Sequence, residues 1–285
     1  RTRTLSCHRQ KAERTEGGAI PDRINIVVLA EMRVPLTEAG KRQMDKYVSR
    51  GGNLFVLTDV ERQKVMNPLL EKLGLRMEEY QLAQTSADFS ADLILAKATK
   101  ESGKLTFGFK EDFPKYNLRV SMPGCVALTP INSQVGFECI PVLETESKGV
   151  WIEKEHTDLK EESVQCNASV GEKEQAYVTT YGLLRDINGK EQRILVSGDA
   201  DCMSNAELMV MREGYLSGNF NFIIESFRWL SGGDFPIDVR RPNAIDNKFS
   251  VGTKEVDLMK VIFMIVIPVI LILMGIGIWF FRRRN

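Results

Sequence analysis

Asp199 and Asp201, within Gly198-Asp199-Ala200-Asp201, come closest to a chemical pattern: they follow the apolar run Arg193 to Ser197 and precede a helix start. In an open α/β sheet, ligands gather outside the carboxyl ends of strands, where paired acids can bind a cation or act on a substrate. Carboxylates there also shape a turn and complement the positive end of the next helix. The second role is the expectation, with Asp199 and Asp201 kept as candidate binding residues. Asp59, at the end of an earlier apolar run, is read the same way.

The other reactive residues assemble no machinery. No Gly-x-Ser-x-Gly elbow or cysteine equivalent is present, so the strained nucleophile turn of hydrolases and amidotransferases is missing. The Gly-Lys pairs at Gly40, Gly103 and Gly189 are followed by Arg, Leu and Glu, and none completes a phosphate-binding loop whose Ser or Thr would hold magnesium. His8 and His156 have no evident orienting partner in the surrounding sequence, which disfavours histidine acid/base chemistry. Five scattered cysteines, Cys7, Cys125, Cys139, Cys166 and Cys202, match no zinc or redox spacing and read as small buried residues with room for one disulfide. No catalytic residue, metal or cofactor is therefore expected.

The elements that must position the acids are legible in the apolar pattern. Ile24 to Ala30 and Asn53 to Thr58 are short apolar runs that suit strands buried on both faces. Thr37 caps a helix through Arg50, with Met44, Tyr47 and Val48 inward and Gly51 as its stop. Pro68 opens a second helix with Leu69, Leu70 and Leu73 inward, closed by Gly74. Strand, helix, strand, helix indicates a mostly parallel sheet with right-handed crossovers. From residue 80 to 175 shorter strand-like pieces, Val120 to Leu128, Phe137 to Thr145 and Gly149 to Glu153, suggest an added β region. Asn188-Gly189 predicts a tight hairpin between Ala176 to Arg185 and Gln192 to Ser197. Ser204 and Glu207 form a capping box. A further helix, Asn219 to Leu230, would place Phe220, Ile223, Phe227 and Leu230 on one stripe.

Residues 261–281, VIFMIVIPVILILMGIGIWFF, carry no charge and would rise roughly 31 Å as a helix, the length of a membrane span. Arg282, Arg283 and Arg284 outweigh Lys254 and Lys260, which places the C-terminal end in the cytoplasm. The organisation expected is a frayed or truncated end at 1–20, an extracytoplasmic α/β domain at 21–235, a linker at 236–260, a transmembrane helix at 261–281 and a cytoplasmic tail at 282–285. With 38 basic and 38 acidic residues, the chain lacks the charge excess of a nucleic-acid binder.

Four segments in order, IPDRINIVVLAEMRVPLTEAGKRQMDKYVSRGGNLFVLTD, ILVSGDADCMSN, NFNFIIESFRWLSGG and the apolar end with WFFRRR, resemble the auxiliary component of ABC-type transport systems, typified by the gliding-motility-associated GldG proteins. The resemblance implies a domain similar to class I glutamine amidotransferases without their catalysis, standing beside an ABC permease and ATPase at the bacterial inner membrane, with the soluble domain periplasmic. Cys202 departs from the pattern, which often has an aromatic residue there. The expected function is a non-enzymatic, membrane-anchored accessory subunit. Its rival is a tethered amidotransferase-like or hydrolase-like enzyme using a cysteine or the Asp199 and Asp201 pair.

Overall fold

A computed structural model describes residues 20–131, 136–156, 158–160, 164–235 and 260–284. The expected frayed end at 1–20 and linker at 236–260, each except its final residue, lie outside the described residues, as do Cys7, His8 and Asn285. The chain divides into two units, Arg1–Ile237 and Asp238–Asn285.

In the first unit the continuous apolarity of Asn53–Leu57 makes it strand β2, buried along its length. Leu54 and Val56 face one core; Phe55 and Leu57 face the other. Strand β1 (Ile26–Ala30) pairs parallel to β2, with Ile26 opposite Asn53. Strand β10 (Lys190–Ser197) lies parallel on the opposite side, with Ile194 opposite Leu54. The expectation that β1 is covered on both faces fails: it is the edge strand, and Val28 is 44% exposed.

The sheet is mixed, not mostly parallel as expected. Strand β9 (Val178–Ile187) turns through Asn188 and Gly189, at φ 55° and 79°, directly into β10, and Ile187 sits opposite Lys190. A two-residue turn reverses the chain, so β9 must run against β10. Strands β7 (Glu138–Glu144), β4 (Leu93–Ala98) and β5 (Leu118–Pro123) continue the antiparallel order. The two-residue β11 (Leu216–Ser217) ends the sheet parallel to β5, giving the order β1-β2-β10-β9-β7-β4-β5-β11. The 80–175 region thus supplies three strands of the main sheet. It also forms a second sheet, in which β3 (Leu75–Gln84) lies between β6 (Val126–Pro130) and β8 (Val150–Ile152).

Helices cover the parallel half. Helix α1 (Glu38–Ser49) starts where Thr37 Oγ1 accepts the Gly40 N–H at 3.1 Å, and it buries Met44 and Tyr47. Helix α2 spans Gln63–Leu73, so Pro68 lies inside it and does not open it. Met66, two residues before the expected start, is buried with Leu70 and Leu73, and that burial holds the turn the proline weakens. Helix α3 (Asn205–Met209) is short. In helix α4 (Asn219–Leu230) the buried stripe runs through Asn219, Phe222, Ser226 and Trp229, and Phe220, expected inward, is 65% exposed.

In the second unit the expected transmembrane helix at 261–281 is not formed. Ile262–Val266 winds as a π-helix, and α-helix α5 begins only at Ile267 and runs into the arginines, ending at Arg284. Its uncharged part, 267–281, is about 22 Å long at 1.5 Å per residue, short of a hydrocarbon core of about 30 Å. Among the described residues no helix is long and apolar enough to cross a membrane, and a single-pass C-terminal anchor has no support.

One contact locks α1 to the sheet. The Tyr47 hydroxyl donates to the Asn53 carbonyl at 2.7 Å, and its ring lies over Gly52, where an added Cβ would come within 2.4 Å of ring carbon. Burial pushes the Tyr47 pKa up to about 12. Gly52→Ala should therefore lower unfolding free energy by about 1–3 kcal/mol through overpacking. Tyr47→Phe, which loses only the hydrogen bond, should cost about 1 kcal/mol. Urea denaturation midpoints of both variants against the parent check this order.

Candidate functional site

The carboxyl ends of β2 and β10 bring Asp59, Asp199 and Asp201 into electrostatic contact. Gly198 makes the turn possible: it accepts the Val126 N–H at 3.0 Å and donates to the Thr179 carbonyl at 2.8 Å, and a Cβ there would lie 2.0 Å from the Val126 oxygen. The chain then bends so that the Asp199 carboxylate accepts from the backbone N–H of Asp201 at 2.9 Å and of Cys202 at 2.8 Å. Asp199 is wholly buried, and burial outweighs those two bonds to push its pKa well above the usual carboxylate range, with the charges of Asp201 and Asp59 adding to the rise. Asp201 is exposed. Asp59 is half-buried and raised by burial, against the Val60 N–H that it accepts at 2.7 Å. Asp199 is thus committed to its own turn, and among the described residues no three His, Cys, Asp or Glu are arranged to hold a metal ion.

The cysteines offer no ready nucleophile. Cys125, Cys139, Cys166 and Cys202 are free thiols. Burial pushes the pKa of all four up, most for Cys125 and Cys202 in the core behind the turn, which favours the unreactive protonated form.

Two polar clusters escaped the sequence reading. Ser204 Oγ accepts the Glu207 N–H at 3.2 Å, as a capping box requires, but the Glu207 side chain does not return to the cap. It takes two bonds from Arg212 at 2.6 Å each and one from Ser121 Oγ at 2.6 Å. Asn219 completes the cluster, accepting the Ser121 N–H at 3.0 Å and donating to the Ser121 and Cys202 carbonyls at 2.8 Å. Burial opposes ionisation of Glu207, but Arg212 and Ser121 prevail and lower its pKa. Their sequence separations leave no local signature.

The second cluster anchors the loop after β8. Glu153, 1% exposed, accepts from the Trp151 indole at 2.9 Å and from the backbone N–H groups of Glu155 and His156 at 2.8 and 3.0 Å. His156 Nδ1 lies 3.1 Å from the same carboxylate, so the expectation that His156 lacks an orienting partner is corrected. Burial alone would raise the Glu153 pKa; this set of donors overcomes it and holds the group at about 2. Trp, Glu and His at 151, 153 and 156 were a local signal that could have been read.

The larger cavities lie away from the acids. One of about 690 Å³, between the second sheet and β9, is lined by Glu78, Lys154, Glu172, Tyr177 and Tyr181 among others; another of about 490 Å³ lies between α1 and α2. Asp199 and Asp201 line neither.

No family model matches the chain, and no curated protein matches it. Among solved structures, the chain is similar to one described as the mmIFT52 N-terminal domain, with a TM-score of 0.49 and 16% identity over 74% of this chain and 78% of that one.

Asp199→Asn can supply an acceptor to only one of the two N–H groups and turns an amide N–H toward the other, so it should destabilise by about 1–3 kcal/mol. Asp201→Asn should stay within about 0.5 kcal/mol. A raised folded pKa means that the Asp199 contribution is full below its unfolded pKa and is lost as pH rises through the folded value. The gap between parent and Asp199→Asn should therefore narrow with rising pH in chemical denaturation. Glu153 behaves oppositely, since its folded pKa lies below the ordinary 4.5: its contribution is present above about 4.5 and is lost as pH falls through about 2. That contribution is on the order of 3 kcal/mol, and Glu153→Gln should flatten the acid limb of the stability profile by a similar amount.

Proposed function

We propose that the chain is a non-enzymatic accessory subunit of an ABC-type transporter of the gliding-motility kind, docking through its α/β domain on the permease at the periplasmic face of the bacterial inner membrane. The observation that carries the non-catalytic part is the turn at Gly198 to Cys202. At the strand ends, where an α/β enzyme presents its reacting groups, Asp199 is spent on two backbone N–H groups and Cys202 is buried with its thiol protonated. The four segments that resemble transporter auxiliary proteins support the partner assignment. Three of them supply β1 to β2, the Gly198 turn and α4, the frame of the domain.

Affinity purification of the full chain from detergent-solubilised membranes should recover a permease and an ATPase subunit in constant proportion. Asp201→Asn, which keeps the fold, should leave that recovery and transport unchanged. Recovery of neither subunit would overturn the docking role. Loss of transport in a stably folded Asp201→Asn chain would move the amidotransferase-like or hydrolase-like reading to first place.

A further inference from the structure

Trp229 stands in the last turn of α4 and is 7% exposed. The far end of its ring sits over Gly182 of β9, where an added Cβ would come within 3.2 Å of Cη2. The pyrrole edge, which carries the indole N–H, is the opposite end of the ring. That N–H has no hydrogen-bond partner among the described residues, yet it is not sealed inside the fold. Trp151 differs, because its indole N–H is spent on Glu153. A buried indole normally finds an acceptor, so the Trp229 N–H stands as an open donor.

Trp229 lines a cavity of about 360 Å³ between the end of α4, β9, β10 and the 104–107 segment. Two of its cations are already answered: Arg193 pairs with Glu191, and Arg228 pairs with Glu225. Lys104 is exposed and has no carboxylate partner among the described residues, so the surplus is a single positive charge. The last carbonyls of α4 do not claim the open donors. Arg228 and Trp229 accept the N–H groups of Gly233 and Gly232, and Leu230 accepts from Asn53. The side-chain groups left without partners, the Lys104 ammonium and the Trp229 N–H, are both donors. Phe107, 66% exposed, and Leu184 give the cavity an apolar wall beside them.

We propose that this cavity binds a small monocarboxylate with an apolar body, one carboxylate oxygen accepting the Trp229 N–H and Lys104 answering the charge. Each feature of the ligand follows from one feature of the lining. An indole can only donate, which excludes an ammonium at that point. One surplus charge matches a carboxylate, whereas a phosphate monoester carries nearly two negative charges at neutral pH. A bare inorganic ion would leave the Phe107 and Leu184 wall uncovered. The volume lies at the low end of ligand sites, which suits a small molecule and not a polypeptide segment. This binding goes beyond the docking role, and either can fail without the other.

The test is a nuclear magnetic resonance titration of the full chain labelled with nitrogen-15 at the indoles of its three tryptophans. Trp229→Phe assigns the resonance of interest, with Trp279→Phe as the exposed control. Hexanoate should shift the Trp229 N–H resonance saturably and leave that of Trp151 in place. Hexanol, hexylamine and inorganic phosphate should leave both in place. Lys104→Gln, at an exposed position, should weaken hexanoate binding by about tenfold, the loss expected for a hydrogen bond to a charged group. Should Trp229→Phe misfold, calorimetric titration of hexanoate into the parent and Lys104→Gln makes the same comparison.

A Trp229 resonance that hexanoate does not move overturns the proposal, as does unchanged affinity in Lys104→Gln. An equal response to hexanol assigns the cavity to uncharged apolar ligands and overturns it. A response to inorganic phosphate in place of hexanoate assigns it to another class of anion and overturns it too.

Discussion

Strand β10 is paired parallel on one edge and antiparallel on the other, and the architecture follows from that. Toward β2 its register is set by a crossover chain; toward β9 it is set by the turn at Asn188 and Gly189. The first pairing requires helical cover, since parallel strands expose apolar side chains on both faces. The second imposes an up-and-down order on the strands that follow. A side-chain amide reinforces the junction: Gln192 donates to the carbonyls of Val48 and Gly52 at 2.8 and 2.7 Å, tying β10 to the end of α1. Asn53 does the same toward α4, donating to the Leu230 carbonyl at 2.8 Å.

Where sequence signals were local, they were readable. Thr37, Gly74 and Asn188-Gly189 each fix a turn through their own backbone preferences, and α1, the end of α2 and the hairpin fall where those residues put them. Asp199 was read as a turn former, and its two backbone bonds are of that kind. The errors share one cause. Pro68 suggested a helix start because its ring suits a first turn, yet the burial of Met66 extended the helix ahead of it. Phe220 suggested an inward stripe because apolar residues dominate the moment of α4, yet Asn219 and Ser226 turned inward in its place. No sequence window contains the Ser121 partner that makes burying Asn219 favourable. Continuous apolarity at β1 and at 261–281 likewise specified an environment that the edge position and the π-helical winding at Ile262–Val266 do not provide.

The polar interior gives the domain a division of labour. Carboxylates near the parallel strands satisfy turns, and those near β5 and β8 hold loops and short elements in place. Two partly exposed ion pairs, from Lys97 and Arg119 to Glu146, add a surface brace between β4, β5 and the end of β7. In water such pairs contribute little each, so they tune the packing of this half and do not create it.

The Ser121, Glu207 and Asn219 cluster has a consequence for how the chain reaches this state. The bonds that Ser121 makes to Glu207 and Asn219 span 86 and 98 positions of sequence, so they cannot form until two distant stretches have met. Loop closure over such distances carries an entropic cost, and the cluster belongs to the non-local part of assembly. The short α3 and the two-residue β11, too small to persist alone, are thereby held by a latch that joins stretches far apart in the chain.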